Sequence, residues 1–146
     1  TSSIRRIEGG MLSYHADADI DTNPFELGFD RLVNLDMDAE FIGKDALRRI
    51  KQEGPTRNQV GLVLDCAPIT RPNTTFWVIK QDGATIGKVT SAVYSPRLKQ
   101  NIALAMVATD AAILGAEVEV LTDTGGVKAT MVQRPFYDPQ KQIAAA

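Results

Sequence analysis

The sequence predicts an α+β chain, in which a helical and loop-rich region over residues 1–54 precedes an antiparallel β-barrel or sandwich over residues 55–146. Short segments rich in β-branched and aromatic residues recur at close spacing after residue 58, which is typical of barrels and sandwiches. Two pairs of these segments flank turn-forming residues, as the strands of hairpins do. A charged helical segment separates the two regions and ends at Gly54-Pro55, because glycine followed by proline stops a helix.

The first region contains one segment with strong helix signals, residues 43–53. Asp45 lies in its first turn and its basic residues lie late, so that the charges complement the helix dipole. Its apolar residues form a narrow face at helical spacing: Ala46, Leu47 and Ile50. A second helix is predicted at the start, where Thr1-Ser2-Ser3 resembles a cap in front of apolar positions. Since no Met precedes this cap, we expect the chain to begin inside a domain.

The second region is predicted to contain these strands: Gln59–Leu64, Phe76–Lys80, Thr85–Ser91, Asn101–Thr109, Glu117–Leu121 and Lys128–Gln133. Gln81–Ala84 and Thr122–Gly126 carry Asp and Gly and are predicted to be the turns of two hairpins. Phe76 and Trp77 fall in a predicted strand, so we expect both rings in the core.

The bulk composition excludes several classes of protein. The 146 residues include 16 basic and 18 acidic side chains, for a net charge of −2. Nucleic-acid binding needs a basic patch and anionic membranes attract polybasic segments, so we expect neither partner. Cys66 is the one cysteine, which excludes an internal disulfide and favours a reducing compartment. We therefore expect a cytoplasmic protein.

Motifs for metal binding and nucleophilic catalysis are incomplete. Asp17, Asp19 and Asp21 have the spacing that begins a calcium loop, but the Gly and Glu that such a loop needs further on are absent in either register. We interpret this acidic run as a solvated loop. His15 is predicted to be a polar loop residue, and Cys66 a small core or near-surface thiol. No residue is assigned a catalytic role and no metal site is predicted.

Several segments, read in order, resemble one known family. They are Arg6-Ile7-Glu8-Gly9-Gly10 with Met11–Tyr14, Asp21–Gly28, Val33–Asp36 with Phe41–Leu47, Ile86–Ser91 with Tyr94-Ser95-Pro96, Ile102–Val107, and Arg134-Pro135-Phe136-Tyr137. Together these segments are similar to the glycine-cleavage T-protein (aminomethyltransferase) family over nearly the whole chain. Local detail in Leu12-Ser13-Tyr14 and Asn23–Glu26 is most similar to the dimethylsulfoniopropionate demethylases of that family. Ser2-Ser3 replace an Arg-Asp pair usual in the glycine-cleavage enzymes, and His15 replaces a Gly.

This resemblance implies a fold, a cofactor and a reaction. The first region would complete a folate-binding catalytic domain, and the second would be a C-terminal, Greek-key-like β-barrel. The cofactor would be tetrahydrofolate, and the reaction would be methyl transfer from a sulfonium such as dimethylsulfoniopropionate. The alternatives are aminomethyl transfer in glycine cleavage, another folate-dependent N- or O-demethylation, and a non-catalytic β-barrel binding module.

The resemblance also implies partners. These are the missing N-terminal half of the same enzyme and a small-molecule methyl donor, and a homodimer is allowed. The family's folate-binding aspartate belongs to that missing half, so we expect this chain alone to be inactive.

Four residues are predicted to contact the folate through this resemblance: Met11, Ser13, Tyr14 and Glu8. They lie on a predicted helix that runs from about Glu8 to Tyr14 and forms one wall of the folate cavity. Each has a structural alternative. Met11 could pack in the core, Ser13 and Tyr14 could cap the helix end, and Glu8 could pair with Arg5 or Arg6 or face solvent. Arg97 is expected to be a solvated loop residue rather than a ligand for the acidic folate tail.

Overall fold

The computed structural model describes residues 2–140 and 142–143. Two α-helices are present, Ser3–Glu8 (α1) and Lys44–Glu53 (α2). Six β-strands follow: Arg57–Asp65 (β1), Trp77–Gln81 (β2), Ala84–Ser95 (β3), Gln100–Ala108 (β4), Glu117–Thr122 (β5) and Gly125–Val132 (β6). Single 3-10 turns occur at Asp30–Leu32 and Thr109–Ala111. No helix within the described ranges is long and apolar enough to cross a membrane.

The six strands form a closed antiparallel barrel in the order β1-β4-β3-β2-β5-β6. Strands β2, β3 and β4 form a meander, and β1 lies beside β4, which is the arrangement of a Greek key. The predicted antiparallel barrel with Greek-key character is therefore confirmed. Both predicted hairpins are present, and the second has a tighter turn than expected, because β5 and β6 pair as far as Thr122 and Gly125.

The barrel interior is filled by alternate residues of all six strands. These buried residues are Val60, Leu62, Leu64, Trp77, Ile79, Val89, Ala92, Ala103, Ala105, Val107, Val118, Val120, Ala129 and Met131. Trp77 therefore lies in the core as predicted. The same prediction was wrong for Phe76, which is 47% exposed, because it precedes β2 and its ring lies under the Lys88 ammonium at 4.2 Å.

Helix α1 packs against the outside of the barrel, on β3 and β4. Ile7 is buried there with Val93, Ile102 and Leu104, and the ring of Phe136 joins this cluster. Alternation along the strands explains this second core, since residues next to interior positions point outward. The barrel thus has an inner core and a smaller outer one, and the outer core fixes α1.

The predicted helix from Glu8 to Tyr14 was wrong, because α1 ends at Glu8. Gly10 adopts φ +65°, which glycine reaches without steric cost. The Gly10 amide donates to the carbonyl of Ile7 at 2.9 Å, and the Met11 amide donates to that of Arg6 at 2.9 Å. These two bonds form a Schellman motif, which closes a helix. Residues 11–16 therefore form a loop, and Thr1 of the predicted cap lies outside the described residues.

Helix α2 confirms the predicted helix over residues 43–53. Its apolar residues Ala46, Leu47 and Ile50 are half-buried. The Lys44 ammonium is buried and donates to the carbonyls of Met37 and Ala39 and to the Glu40 carboxylate. Residues 2–54 thus form two short helices and loops, and their role in completing a catalytic domain stays a prediction.

We expect Gly87→Ala to lower the free energy of unfolding by about 1–3 kcal/mol, the usual cost of overpacking. A Cβ at residue 87 would lie 2.2 Å from the Met106 carbonyl oxygen and 2.7 Å from the Cα of Val107, so the β3–β4 backbone would have to move. Thermal unfolding measures this loss. Gly9→Ala is the matched control, because its Cβ would meet nothing closer than 3.4 Å. Equal melting temperatures for the two variants would contradict this packing.

Candidate functional site

A buried carboxylate, Asp17, joins the loop after α1 to the barrel. Its Oδ2 accepts hydrogen bonds from Arg6 Nη1 at 2.5 Å and from the Ser13 amide at 2.9 Å. Its Oδ1 accepts from the hydroxyls of Thr90 at 2.6 Å and Ser91 at 2.7 Å. Arg6 Nη2 also donates to the Ser91 hydroxyl at 2.9 Å. This network, here called the Asp17 hub, therefore connects α1, the following loop and β3.

A β-bulge in β3 explains how two successive hydroxyls reach one carboxylate oxygen. Val89 pairs with Ala105 and Ser91 pairs with Leu104, so Thr90 is an extra residue in β3. A bulge of this kind breaks the strict alternation of faces along a strand. Thr90 and Ser91 consequently both reach Asp17 on the outside of the barrel.

The prediction of a solvated acidic loop was wrong for Asp17, which is 2% exposed, and the nearby acid Glu26 is also buried, at 5% exposed. Asp17 and Glu26 each have a cationic partner that lies far away in the sequence or across a turn. The run of acids alone therefore could not show that these two are buried. Arg57 Nε donates to Glu26 Oε1 at 2.9 Å, and this bond raises the pKa of Arg57. Asn23 and Glu26 also exchange side chain to backbone hydrogen bonds, as in a capping box.

Glu8, one of the four predicted folate contacts, is 4% exposed. Its Oε1 accepts a hydrogen bond from the Ser95 hydroxyl at 2.6 Å, and its carbonyl accepts from the amides of Phe136 and Tyr137. Arg6 pairs with Asp17 instead of Glu8. The structure thus places Glu8 between α1, the end of β3 and the segment after β6, and neither structural alternative holds.

The other three predicted contacts lie on the loop. Met11 is 52% exposed and Tyr14 is 61% exposed, so Met11 is not a core residue. The Ser13 backbone bonds to Asp17 through its amide and its carbonyl, which fixes the loop but caps no helix. Folate contact by Glu8, Met11, Ser13 and Tyr14 stays a prediction.

His15 adopts φ +72° and is exposed. This left-handed conformation favours glycine, although histidine enters it more readily than most residues do. The position is the one at which the resembling family usually has Gly, so the backbone shape accounts for that preference. The predicted loop role of His15 is confirmed.

A first cleft, here called the basic cleft, has a volume of about 570 Å³ and opens where α1 meets the ends of β1 and β6. Its lining includes Gly10, Gly28, Arg31, Gln59 and Arg134. Gln59 is 7% exposed, and its Nε2 donates to the Asp17 carbonyl at 3.3 Å. Its buried Oε1 has no hydrogen-bond partner within residues 2–140 and 142–143. Unpaired buried polar atoms are rare in folded proteins, so this atom points to a ligand donor.

Arg31 and Arg134 give the basic cleft its positive charge. Arg134 is half-buried and donates through Nη2 to the Leu27 carbonyl. Burial lowers the pKa of Arg134, but an arginine stays protonated near neutral pH. Pattern analysis missed Gln59 and Arg134 as site residues. The only signal for Arg134 was its place in the Arg134–Tyr137 motif, and Gln59 gave none.

A second cleft, here called the aromatic cleft, has a volume of about 310 Å³ and is lined by Tyr14, His15, Asn73, Thr74, Phe76 and Thr90, among others. The ring centroids of Tyr14 and His15 lie 4.3 Å apart. Exposed aromatic rings offer stacking surfaces to planar ligands. Arg97 does not line either cleft, and its guanidinium stacks on the Tyr137 ring at 4.2 Å.

A third cleft, of about 540 Å³, lies at the opposite end of the barrel and contains Cys66, Ile69, Trp77 and Asp123 in its lining. Burial, with a smaller effect of Asp65, raises the pKa of the Cys66 thiol. A protonated thiol is a poor nucleophile. Across the described part of the chain, no group of three or more His, Cys, Asp or Glu side chains could hold a metal ion.

The fold and clefts define a small closed-barrel domain with a basic cleft beside the end of α1. Residues 57–138, more than half of the chain, match the family of the glycine cleavage T-protein C-terminal barrel domain. The chain therefore belongs to the glycine cleavage T-protein family.

Several known proteins are similar to this chain, and their names are consistent with this family. An aminomethyltransferase of Synechococcus sp. (strain CC9902) is 42% identical over 132 residues, which are 90% of this chain and 35% of that protein. One from Bacillus velezensis is 38% identical over 137 residues, which are 94% of this chain and 37% of that protein. The crystal structure of glycine cleavage system aminomethyltransferase T from Bartonella henselae matches 94% of this chain and 38% of that chain, with a TM-score of 0.82 and 25% identity.

This chain spans about a third of the length of these curated relatives. The family resemblance is confirmed. These relatives are named aminomethyltransferases, and none of these names refers to sulfonium demethylation.

We expect the rate of Cys66 alkylation by iodoacetamide to rise with pH. Its midpoint pH should be higher in the folded chain than in the same chain unfolded in urea. The raised thiol pKa keeps the thiolate fraction low until the pH exceeds the ordinary range for cysteine. The rate measured against pH gives the two midpoints. A folded midpoint at or below the unfolded one would contradict a desolvated thiol.

Proposed function

We propose that this chain forms part of a tetrahydrofolate-dependent aminomethyltransferase, in which its α1 side holds part of the folate. The observation that carries the proposal is the basic cleft, whose lining brings Arg31 and Arg134 together with Gln59, a residue whose buried Oε1 has no partner among the described residues. Such a cavity suits a ligand that brings both negative charge and a hydrogen-bond donor. Membership of the glycine cleavage T-protein family supports the same reaction.

Tetrahydrofolate fits the residues present. Its acidic tail carries carboxylates, which Arg31 and Arg134 would hold, and its ring system is planar and rich in N–H donors. Gln59 Oε1 would accept one of these donors, and Tyr14 with Phe76 would offer aromatic surface. Met11, Ser13 and Glu8 would shape the wall between the two clefts.

Bound tetrahydrofolate supplies a nucleophilic nitrogen that accepts the one-carbon unit. The residues of this chain bind and orient rather than exchange protons, since the only histidine is exposed on a loop and the thiol of Cys66 lies at the other end of the barrel. Alignment of donor and acceptor can contribute much of a transfer rate by itself. We therefore assign this chain a positioning role, with the reacting carbon delivered by a carrier.

The partner of this chain would be the remaining two-thirds of a longer polypeptide of the size of its relatives. That part would supply the rest of the folate cavity, and the chain alone would turn over nothing.

Sulfonium demethylation is the second candidate. Its support is local, in the segment Leu12-Ser13-Tyr14 and in His15, which occupies a left-handed position where glycine is usual. These residues lie on the loop beside the aromatic cleft, where we expect them to contact the carbon donor. The two candidates share tetrahydrofolate and differ in the carbon donor.

We expect Arg31→Gln to weaken tetrahydrofolate binding about tenfold, because a charge-assisted contact to a carboxylate contributes about 1.5–3 kcal/mol. Isothermal titration of wild type and variant measures the two dissociation constants. A pterin without the glutamate tail should bind both proteins equally. Arg49→Gln on α2 is the matched control, because Arg49 is exposed and lies outside the basic cleft. Equal losses in both variants would contradict a carboxylate site.

We expect the longer protein to transfer carbon from an aminomethylated lipoyl carrier to tetrahydrofolate. The carbon forms bonds to two folate nitrogens as methylenetetrahydrofolate, while its C–S bond breaks to give the dihydrolipoyl thiol and its C–N bond breaks to release ammonia. Ammonia release and the folate product report this reaction. Formation of 5-methyltetrahydrofolate and a thioether from dimethylsulfoniopropionate, without the carrier, would instead establish the second candidate.

A further inference from the structure

We propose that Asp17 is a positioning residue for the ligand site, which shapes both clefts without touching the ligand. This inference rests on the proposed function, because it assigns Asp17 an indirect effect on folate affinity through the residues that Asp17 holds. It begins from one observation: a single carboxylate bonds to α1, to the loop after α1 and to β3.

Asp17 has no capacity left for a ligand. Its side chain is 0% exposed, and each carboxylate oxygen already accepts two hydrogen bonds. A carboxylate has about four acceptor positions, so all of them are in use. Any effect of Asp17 on binding must therefore pass through the groups that it holds.

The first of these groups is the loop of residues 11–18. The Asp17 carboxylate accepts from the Ser13 amide, and the Asp17 amide donates to the Ser13 carbonyl at 2.8 Å. The His15 amide donates to the Ala18 carbonyl at 2.7 Å. Arg6, held by Asp17, donates to the Met11 carbonyl at 3.0 Å. These bonds fix the backbone that presents Met11 and Tyr14 to solvent.

The second group is Gln59. The Asp17 carbonyl accepts from Gln59 Nε2 at 3.3 Å, and this bond requires the amide nitrogen to point toward Asp17. The Gln59 Oε1 is therefore the amide atom left without a partner among the described residues, in a side chain that lines the basic cleft. Since the carbonyl and the carboxylate belong to one residue, movement of Asp17 displaces the walls of both clefts together.

The charge of Asp17 matters as well as its shape. In Asp17→Asn an NH₂ group at the Oδ2 position would face the Arg6 guanidinium and the Ser13 amide, which can only donate. At the Oδ1 position it would face the Thr90 and Ser91 hydroxyls, which can rotate to accept. In either orientation Arg6 loses its anionic partner, so we expect the loop to be held less firmly while the barrel, with its own core, stays folded.

The experiment uses the longer protein that contains this chain and compares Asp17→Asn with Asn101→Asp, a matched exchange between amide and carboxylate. Asn101 is also buried, and it anchors Cys66, Ala67 and Ile69 beside the third cleft. We expect Asp17→Asn to raise the dissociation constant for tetrahydrofolate about tenfold or more, since small displacements of positioning groups have large effects. Asn101→Asp should lower the melting temperature and leave that constant unchanged.

Amide hydrogen exchange gives a second readout that needs no ligand. In Asp17→Asn the Ser13 amide should exchange faster, while the amide of Ile79 in the barrel stays protected. If this variant does not fold, Ser91→Ala removes one donor to Oδ1 and should show the same effects at smaller size.

The outcomes separate the two proposals. If the wild-type protein does not bind tetrahydrofolate, the proposed function is contradicted, and so is the role of Asp17 in folate affinity. Wild-type binding with an unchanged constant in Asp17→Asn would overturn the positioning role alone. An equal loss of affinity in Asn101→Asp would also overturn it, because the effect would then follow from general destabilisation.

Discussion

The full satisfaction of one buried carboxylate is the constraint on which the α1 side of this domain depends. Desolvating an ionised carboxylate is costly unless charge and hydrogen bonds compensate it. Asp17 has a guanidinium, a backbone amide and two hydroxyls around it. Three of the four donors come from segments whose position is set independently of the loop: Arg6 from α1, which the outer core holds, and Thr90 and Ser91 from β3 at its bulge. The loop can adopt one conformation because only there are all four donors satisfied.

The features around the hub follow from it. Gly10 ends α1 and turns the chain so that the loop runs back over β3. The glycine-preferring conformation at His15 brings Asp17 within reach of Ser13, four residues before Asp17. The two clefts lie on either side of this loop, one lined by charge and an unpaired amide oxygen, the other by aromatic rings. A closed barrel beneath supplies the rigid support that a precise site requires.

The barrel was largely predictable from the sequence, because alternation and turn residues are local signals. Helix α2 was predictable for the same reason. The site was less so. Nothing in the run Ala16-Asp17-Ala18-Asp19 distinguishes a buried acid from a solvated one. The hydroxyls that bury Asp17 belong to Thr90 and Ser91, which are 73 and 74 residues away in the sequence. The helix expected over Glu8–Tyr14 failed at Gly10, where a left-handed residue ended it. Family resemblance supplied the cofactor, which no pattern of residues could.

The central claim is that the α1 side of the barrel is a binding surface. Its most direct test is a titration of the isotope-labelled longer protein with tetrahydrofolate, followed by the amide chemical shifts of this chain's residues. The account predicts perturbations at Gly10, Ser13, Gly28 and Gln59, with the barrel-end residues around Cys66 unaffected. Perturbations that cluster around Cys66 and Asp123 instead, or none at saturating ligand, would contradict it.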